Sequence, residues 1–494
     1  MSVAARREGP DAVVVGSGPN GLAAAVTLAR AGLRVEVHEG AVTTGGGCRT
    51  EELTLPGFSH DVCSTVHPLL AASPFFGKRL PDGVRLLTPE IAFAHPLDGG
   101  TAAFVSGSVS ETADSLLADG RAYRRLFGPL VERWESIVPA VLAPMLTVPR
   151  HPLAMVRFGL PGLAPASVLA SGFGTEPGKA LLAGLAAHSM RPLRSPGTGA
   201  FALLLGILAH AVGWPVVEGG SRAITDGLLA ELSGLGGTVR SGAFVEDLGQ
   251  LPPARVTLLN LTPRQLLEMA GPSLPDRYRS RLSRFRYGPG VCKVDWALSG
   301  PVPWSASECR GTATVHLGGS FQEIAHGESE VAAGRHPERP FCIAVQPTVL
   351  DPGRAPAGSH TFYAYCHVPS GSRVDMADRI EAQVERFAPG FRELILDRAV
   401  VTAGEVEAHN PNYVGGDINA GAATLRQTLF RPLLSASPYS TPLPGVYLCS
   451  ASTPPGGGVH GMCGVGAATV ALNDLEALRG HQRQTMSRKV PPGG

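Results

Sequence analysis

The 494-residue sequence predicts an α/β fold. Three observations carry the prediction. Residues 11–40 read as an apolar strand, a glycine-rich turn, a helix and a second strand, which is one βαβ unit. A further strand, glycine-rich loop and helix follow over 446–478. Between these ends, helical and strand-rich stretches alternate, as a second, α+β unit would require. GxGxxG lies within a βαβ unit only at 16–21; Gly456-x-Gly458-x-x-Gly461 repeats the spacing in the later loop, and there is no internal repeat. One nucleotide-binding domain assembled from separated segments is therefore expected, rather than two independent ones.

Each element has its reason in the residues. DAVVVG is apolar, rich in β-branched residues and ends in glycine, as a buried parallel strand does. LAAAVTLARAG is built of helix formers and stops at Gly32. LRVEVHEG is a second strand ending on Glu39. Residues 51–110 mix short strands with proline-rich loops, and 111–213 read as mostly helical. PVVEGGS, the helix ITDGLLAELSGLGG and the strand TVRSGAFVEDL form a second βαβ-like stretch, and RVTLLNLTP adds a buried strand. Strands with long loops are expected over 290–370 and an amphipathic helix over 376–397. VYLCSAS then reads as a strand ending at Ser452, TPPGGGVHG as a loop and MCGVGAATVALNDLEAL as a helix. A mobile polar tail is expected from Gly480 onward.

Composition narrows the class. Apolar residues make up 44% of the chain, enough for a large core. The 62 Gly and 43 Pro are about a fifth of the residues, short of the ~25–30% of low-complexity chains. A disordered chain, a small disulfide scaffold and a simple helix bundle are excluded. A net charge of +1 offers no field to a polyanion, so no nucleic-acid partner is expected. The eight cysteines are scattered, with no CxxC, which argues for reduced thiols in a cytoplasmic protein and against a zinc site or redox disulfide. MSVAARREGP is expected to lead straight into the first strand, without the apolar core of a signal peptide. The apolar run 200–217 approaches the length of a membrane span. It contains Gly206, His210, Gly213 and Pro215, so a buried helix ending near His210 is expected, with peripheral membrane contact as the alternative.

The chemistry begins at Gly16-Ser17-Gly18-x-x-Gly21, which follows a strand and opens a helix. Gly16 permits the tight turn, Gly18 lets backbone approach a pyrophosphate and Gly21 lets helix and strand pack closely. The helix N-terminus favours the anion. Glu39, 18 residues past Gly21, ends the next strand, where a carboxylate can accept both hydroxyls of a ribose. This constellation predicts a Rossmann-type dinucleotide domain.

Further motifs carry a resemblance. Gly45-Gly46-Gly47-Cys48-Arg49-Thr50 resembles the GGRxxT motif of flavoproteins of the amine oxidase and phytoene desaturase type. PGFSHDVCSTVHPL (56–69), HAVGWPVVEGGS (210–221), VCKVDWAL (291–298), NPNYVGGDI (410–418) and VYLCSASTPPGGGVHGMCG (446–464) extend it over nearly the whole chain. The sequence is thereby similar to the phytoene-dehydrogenase-like family of FAD-dependent oxidoreductases. The nearest branch is named for a pyridine nucleotide–disulfide oxidoreductase domain, without the redox disulfide. The resemblance implies FAD as cofactor. It implies a glutathione-reductase-like FAD domain from 1–75, 214–288 and 421–494, interleaved with an α+β substrate domain from 76–213 and 289–420. Gly45 and Gly46 would meet the diphosphate. Gly47 stands where the family has arginine, and Arg49 is expected to take over the phosphate contact. The backbone of Val245 would touch adenine, while Ser452, Gly458 and Val459 would lie along the isoalloxazine. Ser450 and Ser452 occupy the stretch where many relatives carry an aspartate. The dipole of the helix opening near Met462 would favour a reduced, anionic flavin.

Three candidates for catalytic work follow. Lys293 lies within VCKVDWAL, and related amine oxidases carry a lysine on a similar strand that reaches the flavin through water. Asp295 shares its strand face at period two, so a solvated ion pair is the alternative. His460 lies inside the glycine-rich loop. His60, beside Asp61, falls in the segment matching the flavin face of phytoene desaturases, and adjacent strand residues point to opposite sides, so the two form no dyad. His188 and His210 are expected as core histidines, with a place lining the substrate cavity as the alternative. The implied function is an FAD-dependent oxidoreductase, a desaturase or dehydrogenase that takes a hydride from a largely apolar substrate. With no second fingerprint for NAD(P), oxygen, a quinone or a protein is the expected electron acceptor. Amine oxidation, a redox-neutral isomerisation and a non-enzymatic flavin-binding role are the alternatives.

Overall fold

The computed structural model describes residues 9–77, 79–144 and 147–488. Its first layer is a five-stranded, all-parallel sheet. In spatial order the strands are Val446–Leu448, Val256–Leu259, Ala12–Val15, Val35–His38 and Thr238–Arg240. Strands from the two ends and the middle of the chain thus share one sheet. Ala12–Val15 sits at its centre with all four residues buried, which is why that segment is continuously apolar. The helix Pro19–Arg30 and the final helix Met462–Arg488 cover the sheet. Their approach is close: a Cβ added at Gly464 would lie 1.8 Å from the Asn20 carbonyl oxygen.

The second layer is a seven-stranded mixed sheet, in the order Ile395–Val401, Gly290–Leu298, His360–Val368, Cys342–Val345, Thr314–Leu317, Ile91–Leu97 and Thr101–Ser106. Alternation divides its two faces. Phe362 and Ala344 pack with Trp296 and with Ile380 and Val384 of the helix Ala377–Phe387. Tyr363, Val345 and Ile343 face the other way, toward a helical layer that includes Leu181, Leu203, Ile207 and Phe127. The helices of that layer include Gly120–Val131, Pro152–Leu163, Glu176–Ala187 and Thr198–Ala211.

Several expectations need correction. Val216–Val217 pairs antiparallel with Leu86–Leu87, outside the parallel sheet, so only Thr238–Arg240 of the second βαβ-like stretch joins it. That strand ends at Arg240, before Gly242 at φ +67°, and leaves Val245 in the following loop. The helix expected over 376–397 stops at Phe387, ahead of Pro389 and Gly390, and 395–401 is a strand. The strand expected to end at Ser452 ends at Leu448. The final helix runs on to Arg488, through the stretch expected as a tail. The apolar run near 200–217 forms the helix Thr198–Ala211, packed in the core. Among the described residues, no helix is long and apolar enough to cross a membrane.

Candidate functional site

A cavity of about 1190 Å³ runs from the first glycine-rich turn to the face of the mixed sheet. That exceeds the ~300–1,000 Å³ of an ordinary small-molecule site. At one end it is bordered by Gly16, Gly18, Glu39, Gly46, Arg49 and Val245. Gly16 has φ +93°, a backbone that only glycine adopts without strain. Gly21 lies behind the turn, where an added Cβ would come within 2.0 Å of the Gly16 carbonyl oxygen. Gly21 therefore sets the packing, while Gly18 leaves the space.

Glu39 is buried and held by hydrogen bonds from the Ser17 amide (2.8 Å), the Ser17 hydroxyl (2.6 Å) and the Ala41 amide (2.9 Å). Ser17 also accepts from the Gly45 amide through Oγ, which fastens the 45–47 turn to the first. Ser17, Gly21 and Gly45 thus shape the site without bordering the cavity. A carboxylate fixed beside a glycine turn at a helix N-terminus fits the ribose and pyrophosphate of a dinucleotide.

Gly47 borders the cavity too. A Cβ there would lie 2.2 Å from the Tyr413 hydroxyl, so that tyrosine leaves no room for a side chain at position 47. Tyr413 comes from NPNYVGGDI, a motif of the resemblance, but nothing within that motif points to the 45–47 turn. Arg49 donates to the carbonyls of Thr43 (2.8 Å) and Thr44 (3.4 Å) and lies 4.0 Å from Glu39. Its guanidinium ties the 43–49 loop and still borders the cavity.

Farther along, the cavity passes Cys63–Leu69, Ser450, Ala451 and the loop Gly456–His460, including Gly458 and Val459. Ser452 is turned away and donates to the Ala420 carbonyl at 2.8 Å. His460 is buried, with both ring nitrogens engaged by backbone. Nδ1 accepts from the Met462 amide at 3.0 Å, so Nε2 carries the proton and points to the Gly456 carbonyl at 3.2 Å. Burial lowers its pKa to about 4, which keeps the ring neutral. This geometry makes His460 a cap on the final helix within the cavity wall.

Lys293 and His60 do not border the cavity. The Lys293 ammonium binds both Asp295 oxygens at 2.5 Å and the Asp61 carbonyl at 3.0 Å. It lies 4.4 Å from the ring centre of Tyr363, which does border the cavity. The lysine side chain is 7% exposed and Asp295 is fully buried, so the pair is not a solvated one. His60 bonds Thr54 (2.8 Å) and approaches Asp295 (3.4 Å), while Asp61 faces Arg354 on the other side. Cys48 and Cys63 are free thiols, as are the other six cysteines.

Three further residues border the cavity and carry no local sequence signal. Asn260 packs on the glycine turn: its Nδ2 would meet a Cβ at Gly18 at 3.1 Å. Arg431 is buried and donates to the Ala451 (2.8 Å) and Gly421 (3.4 Å) carbonyls, with no carboxylate in ion-pair range among the described residues. Burial lowers its pKa. An unpaired buried guanidinium suits an anionic ligand. His188, expected in the core, borders the cavity, whereas His210 is buried against the Tyr123 hydroxyl at 2.7 Å.

The remaining walls are apolar. The helices Pro152–Leu163 and Thr198–Ala211 contribute Met155, Phe158, Phe201, Leu204 and Leu205. The sheet floor contributes Ile343, Val345, Tyr363 and Tyr365. The carboxylates that border the cavity, Glu39, Glu246 and Glu268, all lie in segments flanking the parallel sheet.

With this geometry in place, comparison with known proteins is informative. Residues 14–74 match the family described as NAD(P)-binding Rossmann-like domain. The chain is 28% identical to pyridine nucleotide-disulfide oxidoreductase domain-containing protein 2 of Rattus norvegicus, over 95% of this chain and 94% of that protein. It is 24% identical to a lycopene-forming phytoene desaturase of Pseudescherichia vulneris, over 93% of this chain and 98% of that one. The fold matches a putrescine oxidase with a TM-score of 0.59 and 17% identity, covering 94% of this chain and 99% of the other. The resemblance carried by the motifs therefore holds: over more than nine-tenths of its length the chain is similar to proteins of the phytoene-desaturase type, and it has a Rossmann-type dinucleotide-binding fold.

Proposed function

We propose that the protein is an FAD-dependent oxidoreductase that dehydrogenates a largely apolar substrate. The single cavity joining a dinucleotide cradle to an apolar chamber carries this reading. FAD in such a site supplies the hydride acceptor. The chain's own residues orient and exclude water. Gly16 and Gly18 would give a phosphate access to the helix N-terminus, Glu39 would accept from a ribose hydroxyl, and the loop Gly456–Val459 would hold the flavin ring. Lys293, behind Tyr363, serves as a positioning residue through that ring rather than as a base. The electron acceptor is oxygen, a quinone or a protein, because only the GxGxxG at 16–21 sits in a βαβ unit; the same spacing at 456–461 has no strand after its helix among the described residues.

An anaerobic screen that follows flavin bleaching tests the reading. Bleaching by terpenoid or other long apolar alkenes, with no NAD(P) requirement, is the expected result. Protein that purifies without a flavin, and takes none up, would sink it. Amine oxidation is the second reading, favoured by the tyrosines 363 and 365 side by side on the sheet floor. No carboxylate borders the apolar chamber to receive an ammonium, which places amines second. Including diamines in the same screen decides between the two.

The outer face of the helix Pro152–Leu163 supports a place at a membrane surface. Leu153 is 81% exposed, Leu160 69% and Val156 52%, while Met155 and Phe158 on its inner side border the cavity. Residues 136–175 contain no Asp or Glu, and Arg150 and Arg157 are exposed. An exposed apolar stripe with arginines beside it is suited to an anionic interface. Co-sedimentation with phosphatidylglycerol vesicles is expected, and Leu153→Glu with Leu160→Glu should weaken it about tenfold or more. Equal binding of the double variant would return this face to ordinary surface.

A further inference from the structure

The apolar chamber has one polar corner. His188 and Thr314 both border the cavity there, either side of His316, and neither is used by the reading above. Thr314 and His316 share a face of the strand Thr314–Leu317, about one pleat repeat (~6.6 Å) apart. The His188 and His316 rings contact through their Nε2 atoms at 3.1 Å. His316 is fully buried, pressed against Gly184, where an added Cβ would lie 2.6 Å from its Nδ1. That Nδ1 has no hydrogen-bond partner. A buried orphan acceptor is less costly than a buried orphan N–H. His316 thus donates from Nε2, and His188 accepts there and carries its own proton on Nδ1. That Nδ1 has no hydrogen-bond partner among the described residues, and the ring borders the cavity.

The Thr314 hydroxyl completes the corner. Thr314 also borders the cavity, is 1% exposed, and its Oγ1 has no partner. The register places it in a cross-strand row with Val345, Tyr363 and Asp295. Three strand spacings, roughly 14 Å, separate it from the Asp295 end, where Lys293 and Tyr363 stand.

We infer that His188 and Thr314 bind an oxygen function, a hydroxyl or carbonyl, at one end of an otherwise apolar substrate. The inference rests on the proposed apolar chamber and names the class of molecule it takes: a long hydrocarbon bearing one terminal oxygen. Such an oxygen accepts from the His188 Nδ1–H and exchanges a hydrogen bond with Thr314. A pure hydrocarbon would bury both groups unpaired, and a site built to pair an oxygen rejects the analogue that lacks it.

Binding of 1-decanol and n-decane to the purified flavoprotein, followed by perturbation of the flavin spectrum and by tryptophan fluorescence, tests this. Trp214 borders the cavity, with its ring 5.6 Å from that of His188. Decanol should bind at least ~10-fold tighter than decane. Thr314→Val and His188→Leu should each shrink that preference several-fold, by weakening decanol binding and relieving the penalty on decane. Equal binding of the two ligands by wild type, or a preference that survives both substitutions, overturns the inference. Binding of neither ligand overturns it together with the apolar chamber. A chain that lacks flavin but shows the preference by fluorescence upholds this corner and defeats only the proposed oxidoreductase.

Discussion

Replacing Arg354 with methionine is expected to destabilise the protein by about 3–5 kcal/mol, because it strips the partner from a buried charge. Arg354 is 1% exposed. Its guanidinium bonds Asp61 at 2.5 Å, Asp351 at 3.0 Å and the Val217 carbonyl at 2.7 Å. Asp61 in turn accepts from the Thr50 hydroxyl (2.7 Å) and the Ser221 amide (2.8 Å), and Asp351 from the Gly219 amide (2.7 Å). One arginine thereby ties three distant stretches of chain, near 50–61, 217–221 and 351–354, directly behind the cavity residues Cys63–Leu69. Burial alone would raise the Asp61 carboxyl, but the Arg354 charge and these hydrogen bonds hold it below the usual range. Its stabilisation is present above the unfolded carboxyl value of about 3.9 and disappears as pH falls through the lower folded value. Arg354→Met should move the acid limb of a thermal-stability profile to higher pH. The double variant with Asp61→Asn should lose less than the sum of the two single changes. Additive losses, or an unmoved acid limb, would mean that the cluster is not coupled.

How much of this was legible beforehand follows from the range of the interactions. Gly16, Gly18, Gly21 and Glu39 were readable because the turn, the helix start and the strand end are local and their spacing is fixed by backbone geometry. The glycine-rich loop at 456–458 was readable for the same reason. The Arg354 cluster was not: Asp351 is three residues away, but Asp61 and Val217 lie 293 and 137 residues away, and no pattern within one segment marks them. Tyr413 and Arg431 also escaped, because each reaches the cavity from a loop without a period to read. Lys293 illustrates a partial success. Period two correctly put it beside Asp295, yet strand alternation cannot tell a buried face from a solvated one. The mixed-sheet floor was visible only as separate strands, and its order comes from pairings that span the chain.

The two inner glycines of the first motif should fail in different ways, and that contrast is the sharpest test of the dinucleotide site. At Gly18 the backbone is ordinary, with φ −66° and ψ 171°, so any residue can adopt it. An added Cβ meets only the Asn260 side-chain nitrogen, at 3.1 Å, which can move aside. Gly18→Val should therefore leave the stability of the cofactor-free chain within about 1 kcal/mol of wild type. What it fills is the space beside the helix N-terminus, so the purified variant should carry no FAD. At Gly21 the obstacle is backbone: a Cβ would sit 2.0 Å from the Gly16 carbonyl oxygen. The helix must leave its strand, and Gly21→Val should cost about 3 kcal/mol or more in the cofactor-free chain, with cofactor lost as a consequence. Urea unfolding of the stripped proteins and the ratio of flavin to protein absorbance separate the two outcomes. A Gly18→Val protein that retained stoichiometric FAD would mean that the pyrophosphate lies elsewhere. Equal destabilisation at both positions would mean that the turn is only a packing device, with no ligand pressing on it.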